Sequence, residues 1–379
     1  MEKHLALVGA GHAHLAALLA GAEFISKGHH VTLITPSTYF YYSGMGPGLL
    51  SGRYSPQDVR FHVKKMAEDR GLAVVLDSVA RIDARHNLLM TASGAQIAYD
   101  VASFNIGSQV PSELLAEPNP NVFPVKPIEN LLKARRRLLE SKDQRILVVG
   151  GGPAGFEISC NLSVLLQKER GKAHITLIAG ESLLPRLPEK GRRIAKQALS
   201  GHCIELIEGK LASRIERDTI QLDSGKELPF DFAFLAVGID PSPLFRSSNL
   251  QTGHDGGLLV NQFLQSVDYP NIFGAGDCIS FQPRPLDKVG VYSVRESAGL
   301  LNNLMTTLED GPTSRRFQPF RPQESYLLIF NLGDGRGLFW RKNWVWDGRL
   351  AFCLKEWLDK RFVKKYQVSG EHDEPERAD

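Results

Sequence analysis

The chain has 379 residues, of which 42% are hydrophobic and 23% charged, the make-up of a globular protein with room for two domains and an appendage. A formal charge of +3 without a long basic stripe argues against a nucleic-acid partner. Residues 1–3 run straight into a strand pattern, leaving no room for a secretory signal, and no run of 18 apolar residues could span a bilayer, so the expected location is cytoplasmic or peripheral on the cytoplasmic membrane face.

The apolar run 5–8 predicts a strand that feeds the turn Gly9-Ala10-Gly11-His12-Ala13-His14, a helix over 13–27 and a second strand over 31–34. Glycines at such a turn let the backbone approach a pyrophosphate, and the N–H groups and dipole of the next helix favour its charge. A loop rich in Tyr, Gly and Pro follows over 39–48, and so many permissive residues beside aromatics point to a backbone packed against something flat. Alternating segments over 72–84 and 87–99 predict an antiparallel meander inserted in a parallel fold, and the next strand stops at Gly107.

Five prolines over 111–127 mark a crossing between domains, and a basic helix follows over 128–141. The pattern then repeats. A strand over 146–149 leads to Gly150-Gly151-Gly152-Pro153-Ala154-Gly155, a second strand covers 175–178, another meander fills 205–228, and a buried strand ends at Gly238. The two turns lie 141 residues apart, which implies two dinucleotide units built by internal duplication, FAD in one and NAD(P) in the other.

After a second crossing, the strand 271–274 ends in Gly274-Ala275-Gly276-Asp277 before a helix over 291–308. Asp277 is either an acceptor for a polyol chain or a turn and cap residue. The four cysteines, Cys160, Cys203, Cys278 and Cys353, show no C-x-x-C spacing, so neither a metal knot nor a local redox disulfide is encoded, and each is expected as a reduced, buried side chain. Residues 341–366 carry eight Lys or Arg against three acids, with aromatics between them. Leu350, Leu354, Trp357, Leu358, Phe362 and Tyr366 fall on one helical face, which would meet either an anionic membrane or a protein surface such as a homodimer partner. The acidic end over 371–379 is expected to be disordered.

These elements in this order resemble the pyridine nucleotide-disulfide oxidoreductase superfamily over residues 1–310. The resemblance implies an α/β fold of two Rossmann-like, three-layer domains, each a parallel sheet with an antiparallel meander insert, plus a small C-terminal extension. The implied FAD domain covers 1–110 and 256–315, the NAD(P) domain 111–255, and the extension 316–379. FAD is expected on Gly9, Gly11, His12, Ala13, Ser43, Gly107, Gly276 and Asp277. NADH or NADPH is expected on Gly150, Gly152, Pro153, Ala154 and Gly155, with Gly238 at the second crossing.

Without a cysteine pair, the chain looks more like type II NADH dehydrogenases and sulfide:quinone oxidoreductases, and Glu157 matches a glutamate at the flavin–nicotinamide junction, although a first-turn helix acid is the plainer reading. A narrower likeness, to relatives fused to selenide, water dikinase, rests on the Gly-His-Ala-His turn, the loop Tyr42-Ser43-Gly44-Met45, the stretch from Lys288 to Arg295 and the tail Asn331-Leu332-Gly333-Asp334-Gly335-Arg336. The implied activity is hydride transfer from NAD(P)H to FAD and electron transfer to a quinone or other acceptor. Glu157 and Lys288 are the expected catalytic residues, Lys288 acting with the Tyr292 region at a helix N-terminus. The alternatives are a sulfide- or selenium-linked flavoprotein and a non-catalytic FAD-binding partner.

Departures from the pattern sharpen these expectations. His14 replaces the third glycine of the first turn, so either the helix packs less closely or the imidazole points away from the phosphate. Thr35 stands where an acid would grip the FAD ribose, which requires a carboxylate elsewhere or none. Val291 and Arg295 stand where type II enzymes carry quinone-pocket glutamines.

Overall fold

The computed structural model describes residues 1–111, 113–141, 144–168 and 173–372. Strand β1 (His4–Val8) is apolar almost throughout, as a strand covered on both faces must be, and helix α1 (His14–Leu19) follows its glycine turn. Strands β2 (His30–Thr35), β3 (Ala73–Leu76) and β4 (Val101–Phe104) extend the first sheet. The helix expected over 13–27 is two short ones, interrupted at Ala20, because the next turn runs against Leu72: a Cβ on Gly21 would lie 2.3 Å from its Cδ1.

The chain crosses to a second sheet through β5 (Val122–Pro124) and α2 (Glu129–Leu139). There follow β6 (Gln144–Val149), α3 (Pro153–Lys168), β7 (Ala173–Ile178), α4 (Glu189–Gly201), β8 (Glu205–Ile207) and β9 (Phe232–Leu235). It returns with β10 (Ile272–Gly274) and the long helix α5 (Gly290–Asp310). The sheet orders are β10-β4-β1-β2-β3 and β5-β9-β6-β7-β8, all parallel, with Leu5 opposite Val31 and Val101 in one and Ile146 opposite Ile175 and Phe232 in the other. Each sheet carries one three-stranded antiparallel meander, at Val79–Asp83, Leu88–Thr91 and Gln96–Ala98, and at Ala212–Ile215, Thr219–Leu222 and Glu227–Pro229. This is the α/β fold expected, with two apolar cores, one per sheet.

The two crossings pair with each other, Ser108 opposite Pro241 and Gln109 opposite Asp240. The C-terminal part is an antiparallel sheet, β11 (Leu328–Asn331), β12 (Gly337–Arg341) and β13 (Trp344–Gly348), followed by α6 (Arg349–Tyr366). The inward stripe of α6 differs from the one expected. Ala351, Phe352, Asp359, Val363 and Tyr366 are buried, whereas Leu350 and Trp357 are 77% and 56% exposed. A paired Lys355 and Asp359 lie on the inner side, and their polarity disguises it in the sequence. Glu371 is buried and ordered, accepting from the His62 and Ser369 N–H groups; the rest of the expected disordered end, 373–379, lies outside the described residues.

Candidate active site

A cavity of about 440 Å³ opens at the carboxyl edge of β1, β2 and β4, where ligands sit in open α/β sheets. Gly9, Gly11, His12, Ser43, Gly107 and Asp277 line it, together with the start of α5 at Gly290 and Ser293. The backbone comes close there: a Cβ on Gly9, whose φ is +81°, would lie 2.6 Å from the Asn105 carbonyl oxygen, and one on Gly11 2.4 Å from Asn105 Oδ1.

Asn105, which sequence reasoning passed over, organises the turn. Its Oδ1 accepts from the Ala13 N–H at 3.0 Å and the His14 N–H at 3.4 Å, and its amide donates to the Ala275 carbonyl at 2.6 Å. Ala13 therefore spends its N–H inside the protein and lies outside the cavity lining. His14 points away from the cavity, its ring bonded to the Gly9 carbonyl at 2.6 Å and Ser103 Oγ at 2.8 Å. Burial lowers the His14 pKa to about 4, against the bond to Gly9, so the ring is neutral and structural.

His12 is different. It lines the cavity, edge-on to Phe40 and Tyr42, and its buried Nε2 has no partner among the described residues. Burial lowers its pKa to about 4; Asp277 opposes this and Lys126 adds to it. An orphaned ring nitrogen and two colliding glycine positions fit a flat, polar dinucleotide occupying this space. Asp277 sits in a short 3-10 turn, Gly276–Cys278, its Oδ2 2.6 Å from Lys126 Nζ and 3.1 Å from Ser108 Oγ. Lys126 also lines the cavity and had no local signal beyond its place in the Pro-rich crossing. At the other end the carboxylate missing at Thr35 has a neighbour: Asp77 lines the same wall, held well below the usual carboxylate range by bonds from Ser93 and Ser78.

Lys288 does not line this cavity. Its ammonium donates to the Ile279 carbonyl and pairs with Asp255 at 2.7 Å, beside a small cavity behind Gly276 and Asp277. Glu296 lies there too, its Oε2 taking the Gly276 N–H at 2.6 Å, and burial raises its pKa to about 7. Gly276 has φ +74°, and a Cβ would meet Asn105 and Ser293 within 2.8 Å.

The second turn has another character. Gly150 has φ +124°, its Cβ position 2.2 Å from the Ala236 carbonyl oxygen, and that of Gly155 lies 1.9 Å from the Gly150 oxygen, so turn and helix pack closely. A Cβ placed on Gly152 would meet nothing within 4 Å, and Pro153 and Ala154 are exposed. Gly238, with φ +111°, closes β9 without joining the cavity lining. Glu157 accepts the Asn331 N–H at 2.6 Å, and burial raises its pKa to about 7 against the pull of Lys355. The loop at 43–50 is a 3-10 turn and a short helix rather than an open loop, and the flat groups its glycines approach are Tyr42 and Tyr54. All four cysteines are free, but only Cys160 and Cys278 are buried; Cys203 and Cys353 are exposed.

Among curated proteins the chain is 27% identical over 248 residues to ferroptosis suppressor protein 1 of Taeniopygia guttata, covering 61% of this chain and 62% of that protein. It is 28% identical over 155 residues to an internal alternative NAD(P)H-ubiquinone oxidoreductase of Solanum tuberosum, covering 39% of this chain and 30% of the other. The chain thus spans under two thirds of the length of each. Its fold matches that of NDH2 from Plasmodium falciparum in complex with NADH, with a TM-score of 0.80, 16% identity, and coverage of 97% of this chain and 98% of that one. A sequence profile of the pyridine nucleotide-disulphide oxidoreductase family matches residues 3–297, and the chain belongs to that family.

Proposed function

We propose that the chain is an FAD-dependent NAD(P)H dehydrogenase of the type II NADH dehydrogenase kind, lacking a redox disulfide, that passes electrons to a quinone. The observation that carries this reading is the contrast within one family fold: a walled cavity with an orphaned His12 Nε2 at the first turn, and an exposed helix start at the second. The family resemblance and the relatives' names support the donor and acceptor classes.

Bound FAD would supply two-electron chemistry between nicotinamide and acceptor. Gly9, Gly11, His12, Ser43, Gly107, Lys126 and Asp277 would hold it, with Asp77 offering a carboxylate on the same wall. The first turn of α5 directs a positive dipole end at the cavity, and Lys126 adds a charge there; both favour an electron-rich ring. Lys126 replaces Lys288 in this role, because Lys126 lines the cavity and Lys288 does not. Gly150, Gly152 and Gly155 would admit the nicotinamide dinucleotide to the start of α3. Burial pushes the Cys278 and Cys160 thiols well above the usual range, so neither of these two offers a thiolate.

No helix among the described residues is long and apolar enough to cross a membrane. Trp344, Leu350, Trp357 and Leu358 are exposed beside Lys360, Arg361, Lys364 and Lys365, which supports peripheral contact of 341–366 with anionic lipid. The partition at residues 110, 255 and 315, cytoplasmic placement and kinship with the selenide, water dikinase fusions belong to the same reading.

The test is anaerobic mixing of the flavin-loaded protein with NADH and with NADPH, followed by a soluble quinone. Bleaching of the flavin band by one donor and its return on adding quinone are expected. A bound flavin that neither donor reduces overturns the reading.

A further inference from the structure

The first sheet runs in the order β10-β4-β1-β2-β3, and at the carboxyl ends of these strands stand Asp277, Gly107, Gly9, Thr35 and Asp77. All five residues line the cavity. Neighbouring strands lie about 4.8 Å apart, so the outer two positions are separated by roughly 19 Å, with the glycine turn midway. A dinucleotide whose pyrophosphate rests at Gly9 extends to both sides of it. One half reaches toward Asp277 and α5, and the adenosine half reaches toward β2, where an acid ordinarily takes the ribose hydroxyls.

The end of β2 has no acid to offer, and its Thr35 hydroxyl already donates to the Ser37 carbonyl at 3.2 Å. Leu76 pairs with Thr35 across the β2–β3 ladder, which puts Asp77 at the same sheet edge, one strand over. Three hydrogen bonds fix its carboxylate. Oδ1 accepts the Ser78 N–H at 2.7 Å, and Oδ2 accepts the Ser93 N–H at 3.1 Å and the Ser93 hydroxyl at 2.6 Å. Ser93 belongs to the turn of the first meander, between Leu88–Thr91 and Gln96–Ala98. A carboxylate has about four acceptor sites, so the group is oriented and still has a site left. On the same cavity wall, Ser37 Oγ accepts the Tyr39 N–H at 3.2 Å and has its own proton to donate. An acceptor and a donor together suit a vicinal diol, in which each hydroxyl can give or take a hydrogen bond.

We propose that Asp77 is the carboxylate that holds the adenosine ribose of FAD, accepting one of its hydroxyls, with Ser37 donating to the diol beside it. The inference rests on the FAD reading above. The acid has moved from the end of the second strand to the end of the third, and the meander gains a part in cofactor binding. Ser93 acts through Asp77 and is a positioning residue. With only one acceptor site left, Asp77 makes a single ribose contact rather than the bidentate one that a carboxylate at Thr35 would make.

The test titrates the full chain, stripped of flavin, and its Asp77→Asn variant with three probes: FAD, FMN, and an FAD whose adenosine lacks both ribose hydroxyls. Flavin fluorescence reports binding. FAD affinity should fall about tenfold or more in the variant, the scale of one hydrogen bond to a charged group, while FMN affinity stays within about twofold. The wild type should bind the hydroxyl-free analogue about tenfold more weakly than FAD, and the variant should bind the two alike. Equal losses with FAD and FMN would mark Asp77 as a residue that only ties β3 to the meander and overturn the proposal, as would an unchanged FAD affinity. A variant that also loses affinity for the analogue would place the carboxylate on the adenine and overturn the ribose assignment. If Asp77→Asn does not fold, the wild type alone decides, since equal affinity for FAD and the analogue overturns the proposal. Wild-type protein that binds no FAD would instead overturn the cofactor reading, and the proposal with it.

Discussion

The two glycine turns share a plan and differ in what surrounds them. At the first, Asn105, His14 and Asp277 wall the backbone in, and the cavity reaches from Asp77 to Gly290. At the second, Gly150 and Gly155 pack hard on Ala236 and on each other, yet Gly152, Pro153 and Ala154 face open space. An enclosed turn suits a ligand that stays through many turnovers, and an open one suits a ligand that must leave each time. The two units share a frame, and the residues that differ between them fit a resident ligand at one turn and an exchangeable one at the other.

The sharpest way to break this contrast is a paired substitution. Gly9→Ala sets a Cβ against the Asn105 carbonyl in a left-handed conformation and should cost about 3 kcal/mol or more, read as a lower urea midpoint and loss of bound flavin. Gly152→Ala has room and should change stability by about 0.5 kcal/mol or less, weakening only nicotinamide binding. Similar losses from both would erase the distinction.

A second test uses two glutamates, the buried Glu296 behind the first turn and the half-buried Glu157 beside the second, each raised to about 7. A carboxyl raised in the folded state holds its proton where the unfolded chain has released it. Stability therefore falls as pH rises from the ordinary glutamate value to about 7, then levels. Glu296→Gln should remove that loss and gain on the order of 2 kcal/mol at pH 8, with no change at pH 4. Denaturant titration at the two pH values checks this, and an equal gain at both would show that proton uptake is not the cause.

The smallest expected effect separates two lysines. Lys126→Met should lower the midpoint potential of bound flavin and weaken FAD binding by about tenfold, because it removes a charge from the cavity wall. Lys288→Met, outside that wall, should leave the potential unchanged. Potentiometry of both variants decides between them, and a shift only in Lys288→Met would restore the sequence-based assignment.

The strands, both glycine turns, the meanders and the two crossings were legible because each is written in a local pattern of a few residues. What escaped depends on distant partners. Asn105 follows a strand like any loop residue until its amide is seen spanning the Ala13 N–H and the Ala275 carbonyl. Lys126 gains its meaning from Asp277. Lys288 looked free because its partner, Asp255, lies 33 positions away on another loop. In α6 apolar periodicity found a face of which Tyr366 is buried while Leu350, Trp357 and Leu358 stay exposed, since helical spacing shows that a face exists and not which way it turns.

The pairing of Ser108 and Gln109 with Pro241 and Asp240 bears on movement between the two halves. Two separate linkers would let the sheets rotate about any axis. A hydrogen-bonded strap resists twisting and shear and leaves bending across its width as the soft direction. Ser108 is part of that strap and also touches Asp277 and Lys126, so the two-stranded connection between the halves is anchored to the polar groups of the enclosed cavity.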